Sequence, residues 1–96
     1  MPKTLAISPR SGSTRTTVTL TGSGFIRNGT VRFVFHASRM GETGTDGEGR
    51  FTARLSLPRP DFYAHFAGQT FSISTTEYTR AGEYQGNGPS VGFHVN

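Results

Sequence analysis

The chain has 96 residues, a length that fits one small module and excludes a multi-domain enzyme built around a deep cleft. It is poor in hydrophobic residues (32%) and in charged residues (17%), and it contains 13 glycines beside many threonines and serines. Such a composition favours strands and turns over helices. The net charge is +4, from ten basic and six acidic side chains.

Charge distribution and cysteine content exclude several classes of partner and cofactor. The basic residues are scattered along the chain, whereas nucleic-acid binding requires cations gathered on one face, so we expect no nucleic-acid partner. No apolar stretch approaches the roughly 18 residues that cross a bilayer, so we expect no membrane insertion. Cysteine is absent, which excludes disulfides, thiolate metal sites and a cysteine nucleophile. We expect no cofactor.

Alternation of apolar and polar residues with period two recurs along the chain and predicts strands. It is clearest in residues 50–57, where Phe51, Ala53, Leu55 and Leu57 point to one side. The Asp-Gly pair before that segment is a strong hairpin signal. The pattern predicts seven strands, at residues 4–7, 16–21, 30–36, 39–45, 50–57, 69–76 and 90–95.

Two segments between the strands have no alternation. Pro58 and Pro60 end the fifth strand, and the aromatic segment 61–68 follows, with Asp61 placed to cap one helical turn. We interpret this segment as a crossover between two sheets. Residues 77–89, rich in Gly, Glu and Asn, are predicted to form a loop.

Seven short strands separated by turn residues predict an all-β fold, an immunoglobulin-like two-sheet Greek-key β-sandwich. We expect a single domain that spans residues 1–96. The apolar residues occupy alternate strand positions, so we expect a thin core between the sheets and any function to lie on faces, loops or edges.

The N-terminal third contains a strand, Pro9, a Gly-containing loop, a second strand and then Gly22-Ser23-Gly24-Phe25. This arrangement resembles the opening of IPT/TIG immunoglobulin-like domains over about 20 residues. It has a physical basis, because the proline ends the first strand and the glycines allow a tight corner that returns the aromatic ring to the core.

A second resemblance extends over more of the chain. The acidic-Gly turn before the fifth strand, the aromatic connection after it and the closing Gly86-Asn87-Gly88-Pro89 are similar to the neocarzinostatin and macromomycin chromoproteins. This resemblance implies an immunoglobulin-like carrier of an enediyne antibiotic, with the ligand in a cleft lined by one sheet. The disulfides of that family have no counterpart here.

Three surfaces are candidates for ligand or partner binding. If the predicted third, sixth and seventh strands form one sheet with the sixth in the middle, its outer face presents one group of side chains; the alternative is an ordinary solvated face. The aromatic crossover contributes a second group, and its alternative role is to plug the end of the sandwich. The loop at 77–89 contributes a third group, and the alternative is an ordinary solvent-exposed loop. The candidates are Arg32, Val34, His36 and His94 on the face, Phe62 and Tyr63 in the crossover, and Tyr78 and Tyr84 in the loop.

The sequence contains no recognisable catalytic or metal-binding set. No serine lies in a strand-to-helix elbow, and the six acidic residues fall in turns and loops, so we expect no enzyme. His36 and His94 would lie roughly 9 to 10 Å apart across the middle strand, two strand spacings, and no third ligand is evident, so we expect no metal site.

These observations predict a non-catalytic structural or adhesive module that makes protein–protein contacts, including self-association, in a cell-surface array, a filament or a virion. They place the chain outside the cell, on a cell surface or in a virion, although it begins without a signal peptide. The alternative is a module that binds a glycan or a small apolar ligand. That alternative predicts a concave pocket lined by Val34, Phe62 and Tyr78.

Overall fold

The computed structural model describes residues 3–96, which form an all-β sandwich of two sheets, as predicted. Nine strands and one short helical connection make up this part of the chain. In chain order they are β1 (Thr4–Ser8), β2 (Ser11–Gly12), β3 (Thr17–Ser23), β4 (Thr30–Phe35), β5 (Ser38–Gly44), β6 (Phe51–Ser56), α1 (Pro60–Tyr63) with a 3₁₀ turn (Ala64–Phe66), β7 (Thr70–Tyr78), β8 (Tyr84–Asn87) and β9 (Val91–Val95).

The two sheets are unequal in size. The smaller has the order β1-β3-β6, and the larger has the order β2-β9-β7-β4-β5, with β8 paired to the second half of β7. All the pairs are antiparallel except β2 with β9. β7 therefore lies between β4 and β9, the arrangement on which the candidate outer face was predicted. The segment between β6 and β7 crosses from one sheet to the other.

The core follows the alternation of the strands. Phe71, Ile73 and Thr75 of β7 are buried, whereas Ser72 and Ser74 between them are exposed, which confirms the predicted inward face. Each large apolar side chain buried in this way contributes about 1.5 to 3 kcal/mol. The buried hydrophobic residues are Ile7, Val18, Leu20, Phe25, Val31, Phe33, Phe35, Phe51, Ala53, Leu57, Tyr63, Phe71, Ile73, Phe93 and Val95.

The glycine corner after β3 returns an aromatic ring to the core, as predicted. Gly24 has a φ of 77° and reverses the chain, so that Phe25 is buried and its ring packs edge-on against Phe51 at 5.0 Å. Gly22 lies opposite Phe51 in the sheet, and a Cβ there would be 2.3 Å from the ring of Phe51. The missing side chain makes the space that this ring fills.

The structure has nine strands where the sequence predicted seven. β2 has two residues and β8 has four, too few to produce a readable alternation. β8 occupies Tyr84–Asn87 and β7 continues to Tyr78, so the predicted loop at 77–89 is wrong at its start and near its end. The strand continues because Glu77 is at an inward position, where its carboxylate accepts a hydrogen bond from the backbone N–H of Ile26 (2.7 Å) and pairs with Lys3.

One helical turn forms in the crossover, as predicted, but Asp61 does not cap it. The N-cap is Arg59, without a side-chain capping bond, and Pro60 is the first helical residue. A proline suits the first position of a helix for two reasons. Its fixed φ is helical, and an N–H at that position would have no intrahelical hydrogen-bond partner. Asp61 instead forms an exposed ion pair with Arg15 at 2.8 Å.

Within residues 3–96, no helix has the length and apolar character needed to cross a membrane.

Candidate ligand-binding site

The turn between β4 and β5 forms one wall of a cavity at the end of the sandwich. The sequence predicted that the strand continues to His36, but β4 ends at Phe35 and His36 has a φ of 57°, which turns the chain toward β5. The backbone N–H of His36 donates to the carbonyl of Ser72 at 2.8 Å. His36 therefore lies in the turn, and its ring packs 5.4 Å from that of Phe71.

The α1 segment forms the facing wall. Arg59 has φ 45° and ψ 59°, the left-handed conformation, immediately before Pro60. The N–H groups of Phe62 and Tyr63 both donate to the carbonyl of Arg59 at 3.1 Å, which closes the turn. The chain then returns to β7 through Gly68, whose N–H donates to the carbonyl of Val95 at 2.6 Å.

Tyr63 joins the two walls. Its side chain is 2% exposed, and its hydroxyl donates to the carbonyl of Phe35 at 3.3 Å. Because that bond uses the single phenolic proton, the hydroxyl of Ser38, 2.8 Å away, donates to the tyrosine oxygen. Both partners belong to the β4–β5 hairpin, so α1 is fixed against the turn.

The space between these walls, which we call the end cavity, has a volume of about 370 Å³. A binding site for a small molecule is commonly about 300 to 1,000 Å³, mostly apolar, with a few placed polar groups. The end cavity matches this description, because Phe62, Tyr63, Phe66 and Phe71 line it together with a few polar residues. It is lined by His36, Ala37, Ser38, Arg59, Phe62, Tyr63, Phe66, Gln69 and Phe71.

The rings of the end cavity contact one another in a continuous cluster. The ring of Phe62 lies 5.1 Å from that of Tyr63 and 5.4 Å from that of Phe66. Phe71 completes the cluster, 5.1 Å from Tyr63 and 6.2 Å from Phe66. Edge-to-face and tilted arrangements at these distances are favourable. The four rings therefore form one connected apolar surface, of which Phe62 is the most exposed member.

Charge in the end cavity is of one sign. The guanidinium of Arg59 lies 4.6 Å above the ring centroid of Phe62, a cation–π contact. None of the nine lining residues is acidic. Among the described residues, no carboxylate forms an ion pair with Arg59, and the nearby Asp61 pairs with Arg15.

The other predicted residues lie elsewhere, and three of them form one group. The guanidinium of Arg32 lies 4.3 Å above the ring of Tyr78, whose ring centroid is 5.8 Å from that of Tyr84. Arg32 also pairs with Glu42 at 3.1 Å, and the hydroxyl of Tyr84 donates to the side chain of Asn87 at 2.8 Å. Arg32, Tyr78 and Tyr84 therefore contact one another and their neighbours on the surface of the protein. We call these three residues the tyrosine patch.

Val34 and His94 belong to neither group. Val34 is half-buried on β4, between Ser74 and Arg39 in the register, and Nδ1 of His94 lies 3.0 Å from the hydroxyl of Thr70. Of the three residues predicted to line a pocket together, only Phe62 lines the end cavity. In the part of the chain that the structure describes, no group of three potential metal ligands occurs.

A larger groove of about 660 Å³ lies between β3, β6 and the β5–β6 hairpin. It is open to solvent, and its charged groups, Asp46 and Arg50, are paired with each other at 3.8 Å. Two backbone N–H groups, of Glu48 and Arg50, donate to Asp46 at 2.9 and 2.8 Å. The charged groups of the groove are therefore already engaged in the hairpin turn. The groove is for that reason a weaker candidate for a ligand-binding site than the end cavity.

Sequence reasoning found the aromatic half of the end cavity and missed its polar half. Phe62 and Tyr63 stand out as a cluster of rings, but nothing in the sequence marks Arg59, Ser38 or Gln69. The left-handed conformation of Arg59, which directs it to the cavity, depends on the fold around it. The adjacent Pro58 and Pro60 are the signal that a constrained turn lies here.

Comparison with known proteins supports the fold. No protein-family model matches the chain, and no curated protein matches its sequence. The solved structure of macromomycin matches it with a TM-score of 0.60 over 98% of this chain and 99% of that chain, at 13% identity. The match confirms a macromomycin-like, immunoglobulin-like two-sheet sandwich, the fold that the chromoprotein resemblance implied.

Proposed function

We propose that this chain is a non-catalytic binding protein whose end cavity holds a small planar aromatic ligand. The observation that carries the proposal is the cavity itself, about 370 Å³ in volume, with four rings that leave a space between α1 and the β4–β5 turn. The hydrogen bonds of Tyr63 to Phe35 and Ser38 hold both walls in place before any ligand arrives, which lowers the entropic cost of binding.

The resemblance of the sequence to the chromoprotein family implies a function of the same class, carriage of a small molecule. The end cavity supports that class without the disulfides of the family. We expect a flat apolar ligand to bind more tightly than a sugar, because contact with the four rings would make up most of the interface.

An NMR titration tests this proposal. We expect biphenyl-4-methanol, a neutral probe, to shift the backbone amide signals of residues 36–38, 59–66 and 69–71. Phe62→Ala should weaken binding by roughly tenfold, because it removes a ring that the probe would contact. Phe62 is 43% exposed, so the variant should remain folded.

Tyr84→Ala is the matched control, since Tyr84 is an exposed ring in the tyrosine patch. It should leave the affinity unchanged. Shifts at the tyrosine patch instead of the end cavity, tighter binding of maltose than of the biphenyl probe, or no binding at all would contradict the proposal.

Assembly by strand pairing is a second candidate function, favoured by the free edge of β1. Among residues 3–96 this strand pairs only with β3, and it contains no charged side chain, proline or bulge. The edge strand β5 is different, because it carries Arg39 and Glu42 and a register shift beside β4. Free edges of the first kind pair with other chains, and those of the second kind resist pairing.

Under this second proposal the chain is a module of a cell-surface array, a filament or a virion, as the sequence predicted. The IPT/TIG resemblance of the N-terminal third belongs to the same proposal and stays a prediction.

A further inference from the structure

We propose that the ligand of the end cavity is an anion, a planar aromatic carboxylate whose acid group pairs with Arg59. The inference rests on the proposed function and adds the charge of the ligand to it. Arg59 and His36 are the basic residues of the lining, and no acidic residue accompanies them. A neutral aromatic ligand would need none of this charge.

Arg59 has donors to spare. Its guanidinium carries five N–H donors, and it lies over the ring of Phe62, which has no oxygen atom that could accept a hydrogen bond from them. Among residues 3–96 no acidic side chain lies within ion-pair distance of Arg59. The same is true of Arg10, Arg27, Arg54 and Arg80, but of these five arginines Arg59 is the one that lines the end cavity. An arginine beside an apolar cavity and without a protein carboxylate is suited to a ligand carboxylate, which it can bind through two parallel hydrogen bonds.

The backbone of Arg59 supports the same inference. Its φ of 45° is in the left-handed region, where residues other than glycine and asparagine are uncommon, and the following proline disfavours helical conformations there. Conformations of this kind persist where the surrounding structure enforces them, and they concentrate at ligand-binding sites. Here the N–H groups of Phe62 and Tyr63 hold the Arg59 carbonyl. Arg59 is exposed and lines the cavity, so its side chain lies at the solvent side, the cavity mouth.

The rings and the charge together define a ligand with two parts. One part is a flat ring system that lies against Phe62, Phe66 and Phe71, and the other is a carboxylate that pairs with the exposed Arg59. Ser38 and Gln69 add neutral polar groups to the lining. Because the charged end stays at the mouth, the ligand does not have to bury an uncompensated charge.

The test compares two isosteric probes, biphenyl-4-carboxylate and biphenyl-4-carboxamide, by the same NMR titration. The wild-type protein should bind the acid roughly tenfold or more tightly than the amide, since an ion pair with two hydrogen bonds is stronger than a neutral contact. Arg59→Gln should abolish this preference, so that the acid and the amide bind with similar affinity. Arg59→Lys should retain part of it, because a lysine keeps the charge and loses the planar pair of donors.

Arg54→Gln is the matched control, because it removes the same charge from an exposed position on β6 of the other sheet. It should leave the preference intact. Equal binding of acid and amide by the wild-type protein would overturn this inference and leave the proposed function standing, and so would an equal loss of preference in Arg54→Gln. If neither probe binds the end cavity, the proposed function fails and the inference fails with it.

Discussion

At the scale of single residues, Glu77 is the one charged residue that is buried among residues 3–96. Its side chain is 4% exposed, and its carboxylate joins the N-terminal segment through Lys3 to the turn after β3 through the N–H of Ile26. Removing a buried acceptor leaves a backbone N–H without a partner. Lys3 is 36% exposed, so the ion pair itself contributes less than its geometry suggests.

We expect Glu77→Ala to lower the free energy of unfolding by about 2 kcal/mol, measured by urea denaturation. Glu77→Gln should cost less, because the amide oxygen can still accept from Ile26. Glu83→Ala is the control, since Glu83 is exposed, and it should change stability by less than about 0.5 kcal/mol. Equal effects of the Glu77→Ala and Glu83→Ala substitutions would contradict this role.

Asp46 gives the hairpin before β6 a defined dependence on pH. Hydrogen bonds from the backbone N–H groups of Arg50 and Glu48 lower the pKa of Asp46, and the nearby Arg50 charge adds to this effect. A lowered pKa in the folded state means that the charged form stabilises the fold above the unfolded pKa, about 4. That stabilisation disappears as the pH falls through the lowered folded value.

Asp46→Asn should therefore lower the Tm at pH 7, and the difference from the wild type should shrink below about pH 4. Thermal unfolding followed by circular dichroism between pH 7 and pH 2.5 measures it. Asp61→Asn is the control, because its carboxylate is 90% exposed and its surface ion pair contributes little. A Tm difference that stays constant with pH would contradict the assignment.

At the scale of secondary-structure elements, the contact between α1 and the β4–β5 hairpin shapes the end cavity. Tyr63→Phe keeps the ring and removes the hydroxyl, leaving the carbonyl of Phe35 and the hydroxyl of Ser38 without this partner. We expect a loss of about 1 to 2 kcal/mol in stability and faster amide hydrogen exchange in residues 36–38.

Ser38→Ala removes only the outer of the two bonds and should have a smaller effect on both measurements. Unchanged exchange in the Tyr63→Phe variant would mean that the hydroxyl does not hold the turn.

The same elements explain how much could be predicted from the sequence. The alternation in β6 and β7 was readable because one side of each strand is buried and the other is solvated. Glu77 occupies an inward position of β7, but a charged residue there is typical of a loop, and the contacts with Lys3 and Ile26 that allow its burial are not visible in the sequence. The turns at His36 and Arg59 could not be predicted, because neither residue is a glycine and the sequence therefore does not indicate a positive φ. The surrounding tertiary structure imposes these conformations.

At the scale of the whole molecule, the two sheets leave β1 with a free edge, and this edge sets the expected behaviour at high concentration. An antiparallel pairing of β1 with the β1 strand of a second copy would extend the smaller sheet across a two-fold axis. Ala6 is exposed in the middle of this strand, so Ala6→Lys adds a charge to the edge without disturbing the core.

We expect analytical ultracentrifugation to detect a concentration-dependent dimer of the wild-type protein and a monomer of the Ala6→Lys variant. Ser74→Lys adds the same charge to the outer face of the larger sheet and should still dimerise. A wild-type protein that stays monomeric at millimolar concentration would contradict assembly through this edge.

The crossover from Arg59 to Gly68 has a consequence for how such a protein can diversify. Tyr63 is the one buried side chain among these ten residues, and the segment is closed at its ends by backbone hydrogen bonds to Arg59 and Val95. Phe62, Phe66 and Arg59 can therefore change without a redesign of the sandwich, provided that the tyrosine and the turn remain. Evolution or a combinatorial library could respecify the cavity by exchanging a single short insert, much as antibodies vary their loops on a constant framework.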